Sequence, residues 1–426
     1  MPTHNRNNQN TPIVTRDLPG SHTKFITCEH LDRIGEIASY YGFVAMKSPT
    51  ISKADIEAGK DILDGDYMED VSESHTRLPL HAEEKIALIR TYQEENMHIM
   101  SQPVMLYFKD PYRGLVKKDD FHRYADLEIM GSSGSIADAT LIATARVMLA
   151  EEGYKDTAVE INSLGDRDSI ARFSRELTVY YKKQIGDMEP VCRELFKRDP
   201  FELLSSREPA CKALNEKAPR SMDFLTEDSR RHLEEVLEYL EALKIPYSIN
   251  NGLIGNRKYC TETVFTIVNN TPTTVKGKTQ RILALGVRYN GLAKRLNMKR
   301  DIQGVGISLL VPSRDPALRK PVAKIKRPIA AFMQLGLESK LVALKIVEDL
   351  RQAKIPLYLS LAKDRLGAQV SSVERYHTPY VIVMGKKEAV DGTAIVRKTD
   401  THSQDIVPLN ELAAYMKKAE ASYFKK

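Results

Sequence analysis

The sequence predicts an α+β protein: an antiparallel sheet flanked by helices, followed by a small α/β domain. Three observations predict it. Four strand-like segments, 247–250, 260–268, 281–289 and 304–311, follow a long helical stretch, and antiparallel pairing with helices packed on the sheet is their economical arrangement. After a basic, proline-bearing stretch that ends at Arg327, the apolar pattern becomes strand–helix–strand–helix–strand over 328–384, which favours a mainly parallel α/β domain of about 100 residues. At 426 residues the chain also exceeds one ordinary hydrophobic core.

Residues 1–20, rich in Asn, Thr and Pro, predict a disordered tail ahead of a domain over 21–318. In 31–41, Leu31, Ile34, Ile37, Ala38 and Tyr41 recur at helical spacing, Gly42 stops the helix, and 43–49 reads as a strand. Next come a helix over 81–95 and a strand over 104–108. A charged loop, 109–120, leads to a returning strand over 123–131, the pattern of a hairpin. Ser135 or Asp138 stands ready to cap a helix over 139–152. A strand over 158–163 and a helix over 166–183 precede a charged helical insertion, about 185–244, with one apolar stripe from Leu233 to Leu243. A basic linker over 319–327 then joins the domain over 328–426.

Net charge is +6, and its distribution carries more information than its total. Between Lys294 and Arg327 ten basic side chains face only Asp301 and Asp315, so the rest of the chain is slightly acidic. Such a stretch is either a solvated linker or a contact for a polyanion such as RNA, and composition does not choose between them. Cys28, Cys192, Cys211 and Cys260 are too scattered for a C-x-x-C site and too few to staple a chain of this size. The histidines form no H-x-x-x-H pair, so no metal is expected. Without an apolar run of membrane-spanning or signal-peptide length, the expected location is the cytoplasm. Walker A, G-x-G-x-x-G, G-x-S-x-G and kinase motifs are missing.

The ordered succession of segments from about Leu18 to Lys418 resembles the class II histidyl-tRNA synthetases. Tyr41-Gly42-Phe43 through Pro49 is similar to the first motif, which implies a homodimer. Leu127 to Ser132 and Asp138-Ala139 are similar to the strand and helix after the second motif. The most specific matches are Asn162-Ser163-Leu164-Gly165 and Arg288-Tyr289-Asn290-Gly291-Leu292. The terminal domain resembles the family's anticodon-binding domain, which implies tRNA or another RNA as partner. A synthetase-like regulatory subunit of histidine biosynthesis resembles the same family but usually lacks that domain.

The resemblance implies a demanding reaction, attack of histidine's carboxylate on the α-phosphorus of ATP. Two anions must meet, and the family supplies arginines at three places to cancel their charge. Those places hold Asp110, Gly255 and Ser313 here. The family's Pro-Glu-Gly-Thr turn is replaced by Ala82-Glu83-Glu84-Lys85, and Lys258 and Cys260 replace an aspartate and a second tyrosine. Losing a single preorganised donor costs about 10²- to 10³-fold in rate. Asp110 adds repulsion of about 4 kcal/mol toward a phosphate oxygen about 4 Å away.

Arg257 is two residues past Gly255, on the same strand face, and is the one nearby arginine placed to substitute; Arg113 and Arg314 lie at odd offsets. By the resemblance, Glu83, Glu128 and Tyr259, joined by Arg257, are the candidate amino-acid pocket, with histidine a possible ligand. Arg319, Lys320, Lys324, Lys326, Arg327 and Arg365 are the candidate RNA contacts. Arg365, Gln369 and Arg375 fall on a helix that the family often turns toward tRNA, though a solvated helix face is the preferred explanation. The expected function is an inactive, tRNA-binding or regulatory relative. No cofactor is expected, and ATP with Mg enters only for the alternative, a working histidine–tRNA ligase.

Overall fold

A computed structural model describes residues 31–62, 82–100, 102–109, 122–275, 278–312, 328–359, 367, 369, 370, 373, 374 and 377–424. They form two compact units. The smaller is drawn from Met1–Ser48, Tyr92–Lys109 and Arg314–Lys426, the larger from Pro49–Thr91 and Asp110–Ser313. The predicted tail over 1–20, the hairpin loop and the basic linker over 319–327 lie outside the described residues.

In chain order the first elements are α1 (Arg33–Tyr40), β1 (Val44–Ala45), α2 (Lys53–Ile62), α3 (Ala82–Glu94), β2 (Val104–Lys109), β3 (His122–Met130), α4 (Ile136–Glu151) and β4 (Thr157–Gly165). A helical run follows, α5 (Arg167–Gln184), α6 (Pro190–Arg198), α7 (Pro200–Leu204), α8 (Pro209–Asn215) and α9 (Glu227–Ala242). Next come β5 (Tyr247–Ile249), β6 (Thr261–Val275), β7 (Lys278–Arg288), α10 (Leu292–Arg295) and β8 (Gly304–Pro312). The last are β9 (Ala330–Gln334), α11 (Leu337–Gln352), β10 (Leu357–Leu359), β11 (Tyr380–Met384), α12 (Lys386–Asp391), β12 (Thr393–Lys398), β13 (Gln404–Pro408) and α13 (Leu409–Phe424).

In the larger unit the strand order is β3-β8-β7-β6-β4-β5, antiparallel except for the parallel β4–β5 pair. Both faces of β3 are buried, and alternation separates them by chemistry: Leu127 and Ile129 share the apolar face and Asp126 and Glu128 the other, while most of α4, which packs on β8 and β3, is buried too. Ser135 does not cap α4 with its side chain; its hydroxyl donates to Glu235 Oε2 at 2.5 Å. Asp138 is spent instead on fully buried Arg288. The guanidinium also donates to Ser132 O (2.9 Å) and Gly134 O (3.1 Å), so Arg288 locks α4 to β7.

Asn162 explains why its four-residue segment is so recognisable. Its amide donates to Leu253 O at 3.1 Å and its oxygen accepts from Ser221 Oγ at 2.8 Å, tying β4 to two distant turns. Asp166 then caps α5 by accepting from Ser169 N at 2.8 Å.

Helices α6, α7 and α8 have 9, 5 and 7 residues, too short to persist alone in water. A buried disulfide, Cys192–Cys211, clasps α6 to α8, with Cα atoms 5.6 Å apart. It sits in an apolar cluster with Phe173, Leu177, Tyr181, Phe201 and Leu203. The expectation that these cysteines staple nothing is therefore corrected: α7 folds the chain back and brings together residues 19 apart in sequence.

The smaller unit's sheet has the order β10-β9-β11-β12-β13. The first three strands are parallel, as the strand–helix alternation predicts, while β12 and β13 add an antiparallel edge the sequence reading did not reach. Tyr41 is buried in this unit and donates to Glu348 Oε2 of α11 at 2.8 Å. Gln369 is buried, not on a solvated face; it bridges Gln334 N (3.1 Å) and Gln334 O (2.8 Å). Among the described residues, no helix is long and apolar enough to cross a membrane.

The clasp closes a short loop, so its removal should cost about 3 kcal/mol, chiefly through the unfolded chain. Thermal unfolding with and without a thiol reductant checks this. The melting temperature should fall on reduction in the wild type and stay put in Cys192→Ser; equal responses in both would remove the clasp from the account.

Candidate functional site

The site grows from one strand face. Asp126 and Glu128 are two apart on β3 and so point the same way; Ser308 and Gly306 stand opposite them on β8. Gly306 is required there, because a Cβ would overlap the Glu128 carboxylate. At the end of β7 the Tyr289 hydroxyl donates to Glu128 Oε2 at 2.8 Å. The first turn of α3 supplies Glu83, Glu84 and Lys85. The Lys85 ammonium donates to Glu128 Oε1 and lies 5.3 Å from the centre of the Tyr289 ring. Side-chain exposure is 2% for Lys85 and 0% for Glu128, so this ion pair is dry.

Carboxylates outnumber cations in this chamber. Burial alone lowers the pKa of the Lys85 ammonium, but Glu128, Asp126 and Glu84 outweigh it and hold the pKa above its ordinary value. Burial pushes Asp126 up to about 7 against the pull of Lys85. Glu84 is driven well above the carboxylate range, first by burial and then by Asp126. Glu84 Oε1 and Asp126 Oδ1 are both buried without a hydrogen-bond partner. Such a chamber accepts a proton or a cation and repels phosphate.

The neighbouring turn closes the site toward α2. A Cβ on Gly59 of α2 would come within 2.8 Å of Glu83 Cγ, so the helix lies directly on that glutamate. Helix α2 is pinned by the fork between Arg90 and Asp55 (3.0 and 2.9 Å) and by Asn256, which donates to Ile62 O at 3.3 Å. Tyr259 is buried; burial, then Cys260 and Glu84, raise its phenol well above the usual value. Burial pushes the Cys260 thiol up to about 12, which leaves it unreactive at neutral pH.

Gly255 has no room for more than a hydrogen, since a Cβ would meet Cys260 Cβ at 2.9 Å. Gly255 and Cys260, which stand where the resemblance places an arginine and a tyrosine, are thus packed against each other. Arg257 does not turn toward the chamber. Its guanidinium pairs with Asp199 and stacks 4.3 Å from the centre of the Phe201 ring, at α7. That placement corrects the expectation that Arg257 is a pocket residue or stands in for the missing arginine.

Of the predicted pocket, then, Glu83, Glu128 and Tyr259 come together and Arg257 does not. Asp110, Ser313, Arg113, Arg314 and the RNA candidates Arg319, Lys320, Lys324, Lys326, Arg327, Arg365 and Arg375 lie outside the described residues. Sequence reasoning missed Lys85, Glu84, Asp126 and Tyr289. Two signals were available: carboxylates at alternate positions of one strand, and the small residues Gly304, Gly306 and Ser308 alternating on the next. Among the described residues, no cluster of His, Cys, Asp and Glu is arranged to hold a metal.

A helix-flanked antiparallel sheet joined to an anticodon-type α/β domain is the plan of a class II synthetase-like protein. The family model for an anticodon binding domain matches residues 331–419. The histidine–tRNA ligase of Symbiobacterium thermophilum is 26% identical over 405 residues, covering 91% of this chain and 92% of that protein. That of Desulforamulus reducens is 26% identical over 422 residues, covering 95% and 98%. The apo histidyl-tRNA synthetase structure from S. aureus, 22% identical, aligns over 90% of this chain and 93% of that one with a TM-score of 0.48. The chain is similar to class II histidyl-tRNA synthetases along nearly its whole length.

Asp126 gives the chamber a pH signature. Its folded pKa, about 7, lies above the ordinary 3.8, so the folded chain keeps a proton that the unfolded chain releases. Its contribution to stability is complete below about pH 4 and is lost as pH rises through about 7; Glu84 acts in the same direction. Asp126→Asn should therefore gain on the wild type between about pH 5 and about pH 8, by on the order of 1–3 kcal/mol. Urea unfolding at the two pH values checks it, and a difference that does not change with pH would contradict it.

Proposed function

We propose that the chain is a histidyl-tRNA synthetase-like pseudoenzyme, a cytoplasmic homodimer that binds tRNA and has lost amino-acid activation. The observation that carries this reading is the closure at Gly255. A Cβ at Gly255, where the resemblance places an arginine, would meet Cys260 Cβ at 2.9 Å, and the nearest arginine in sequence, Arg257, is held by Asp199 and Phe201. The chamber supports the same reading, because its cation, Lys85, is already paired with Glu128 rather than aimed at a nucleotide.

Support for tRNA as partner comes from the anticodon-type domain and from the exposed cations Lys294, Arg295, Lys299 and Arg300 next to α10. A second reading, a working histidine–tRNA ligase using ATP and Mg, has its support in the names of the relatives.

Pyrophosphate exchange separates the two readings. The proposal expects no histidine-dependent exchange above background, and clear exchange would establish the ligase instead. In gel retardation the full chain should shift tRNA at low salt and weaken by about 50- to 150-fold for a fourfold rise in salt if about four phosphates are contacted. Changing Lys294, Lys299 and Arg300 together to Glu should flatten that salt slope; an unchanged slope would move the contact elsewhere. Light scattering should give the mass of a dimer at micromolar concentration.

A further inference from the structure

We propose that Lys85 is a tethered ligand: its ammonium fills, from within the chain, a chamber built to hold an alkylammonium ion, and so keeps free amino acids out. The inference rests on the loss-of-activation reading only for the consequence it has, exclusion of the amino acid. The chamber itself stands on geometry.

Each wall of the chamber suits a primary ammonium. Glu128 offers one carboxylate oxygen to Lys85 while Tyr289 holds the other, and the ring of Tyr289 presents its electron-rich face to the same charge. Glu84 Oε1 and Asp126 Oδ1, both buried and without a hydrogen-bond partner among the described residues, add further acceptors. Gly306 removes the side chain that would push Glu128 away, and Gly59 lets α2 close over Glu83. A buried carboxylate takes up either a proton or a cation, and here Glu128 has a cation for its occupant. Lys85 supplies it on a four-carbon stem from the first turn of α3, where no entry or exit is required.

This occupant differs from a residue that fills space. A space-filler is replaced by any side chain of equal length, whereas a tethered cation is replaced only by another cation. Lys85→Ala deletes three methylenes and the ammonium, and propylammonium has that same set of atoms. The experiment is thermal unfolding of the full-length chain, titrated with propylammonium chloride and, as controls, potassium chloride and propanol.

The wild type should respond to propylammonium no more than to potassium chloride. Lys85→Ala should melt on the order of 10 °C lower and recover at least half of that loss, saturably, with propylammonium alone. Recovery no better than with potassium chloride would overturn the proposal, as would an equal saturable shift in the wild type. Should Lys85→Ala fail to fold, Lys85→Met decides: it keeps length and packing but no charge, and must lose a comparable melting temperature. A Met variant within about 2 °C of wild type would make Lys85 a space-filler and end the proposal. Histidine-dependent exchange by the wild type would defeat the proposed function while leaving the amine titration to judge the chamber, so the two failures are distinguishable.

Discussion

The Lys85–Glu128 pair is the contact on which the rest of the larger unit's site depends. An ammonium and a carboxylate removed from water cost several kcal/mol each, and only close pairing with further hydrogen bonds returns that cost. The surroundings meet the condition: Tyr289 takes the second carboxylate oxygen, Gly306 yields the space, and Asp126 and Glu84 hold the ammonium charged. The position of α3 over β3 follows from the same pair, since removing one partner of such a bridge typically costs 3–5 kcal/mol.

Activation of an amino acid by ATP needs guanidinium or ammonium groups aimed at developing negative charge. Here the cation in the chamber is committed to a carboxylate, Arg288 to α4, and Arg257 to α7. The smaller unit keeps three parallel strands, and the family model for an anticodon binding domain matches residues 331–419.

Much of this fold was legible in the sequence, because it is written in local periodicity. The β11 segment Tyr380–Met384 and the strands β3, β7 and β8 fall within a few residues of where alternation puts them. The capping aspartate of α5 was visible at Asp166. What escaped the reading is non-local. Cys192 and Cys211 meet only because α7 reverses the chain, and β12 and β13 pair through short segments whose exposed positions blur the alternation. Lys85 was visible only as a lost turn: its partner Glu128 is 43 residues away, and the glycine that admits the pair lies on a third element.

The most direct measurement is a crystal of the full chain soaked with histidine and a non-hydrolysable ATP analogue. The account predicts that Lys85 stays on Glu128 beneath the Tyr289 ring, that no amino acid enters, and that Arg257 stays on Asp199 and Phe201. Density for histidine against Glu128 with the Lys85 side chain swung out, and a nucleotide beside it, would contradict the account at its centre.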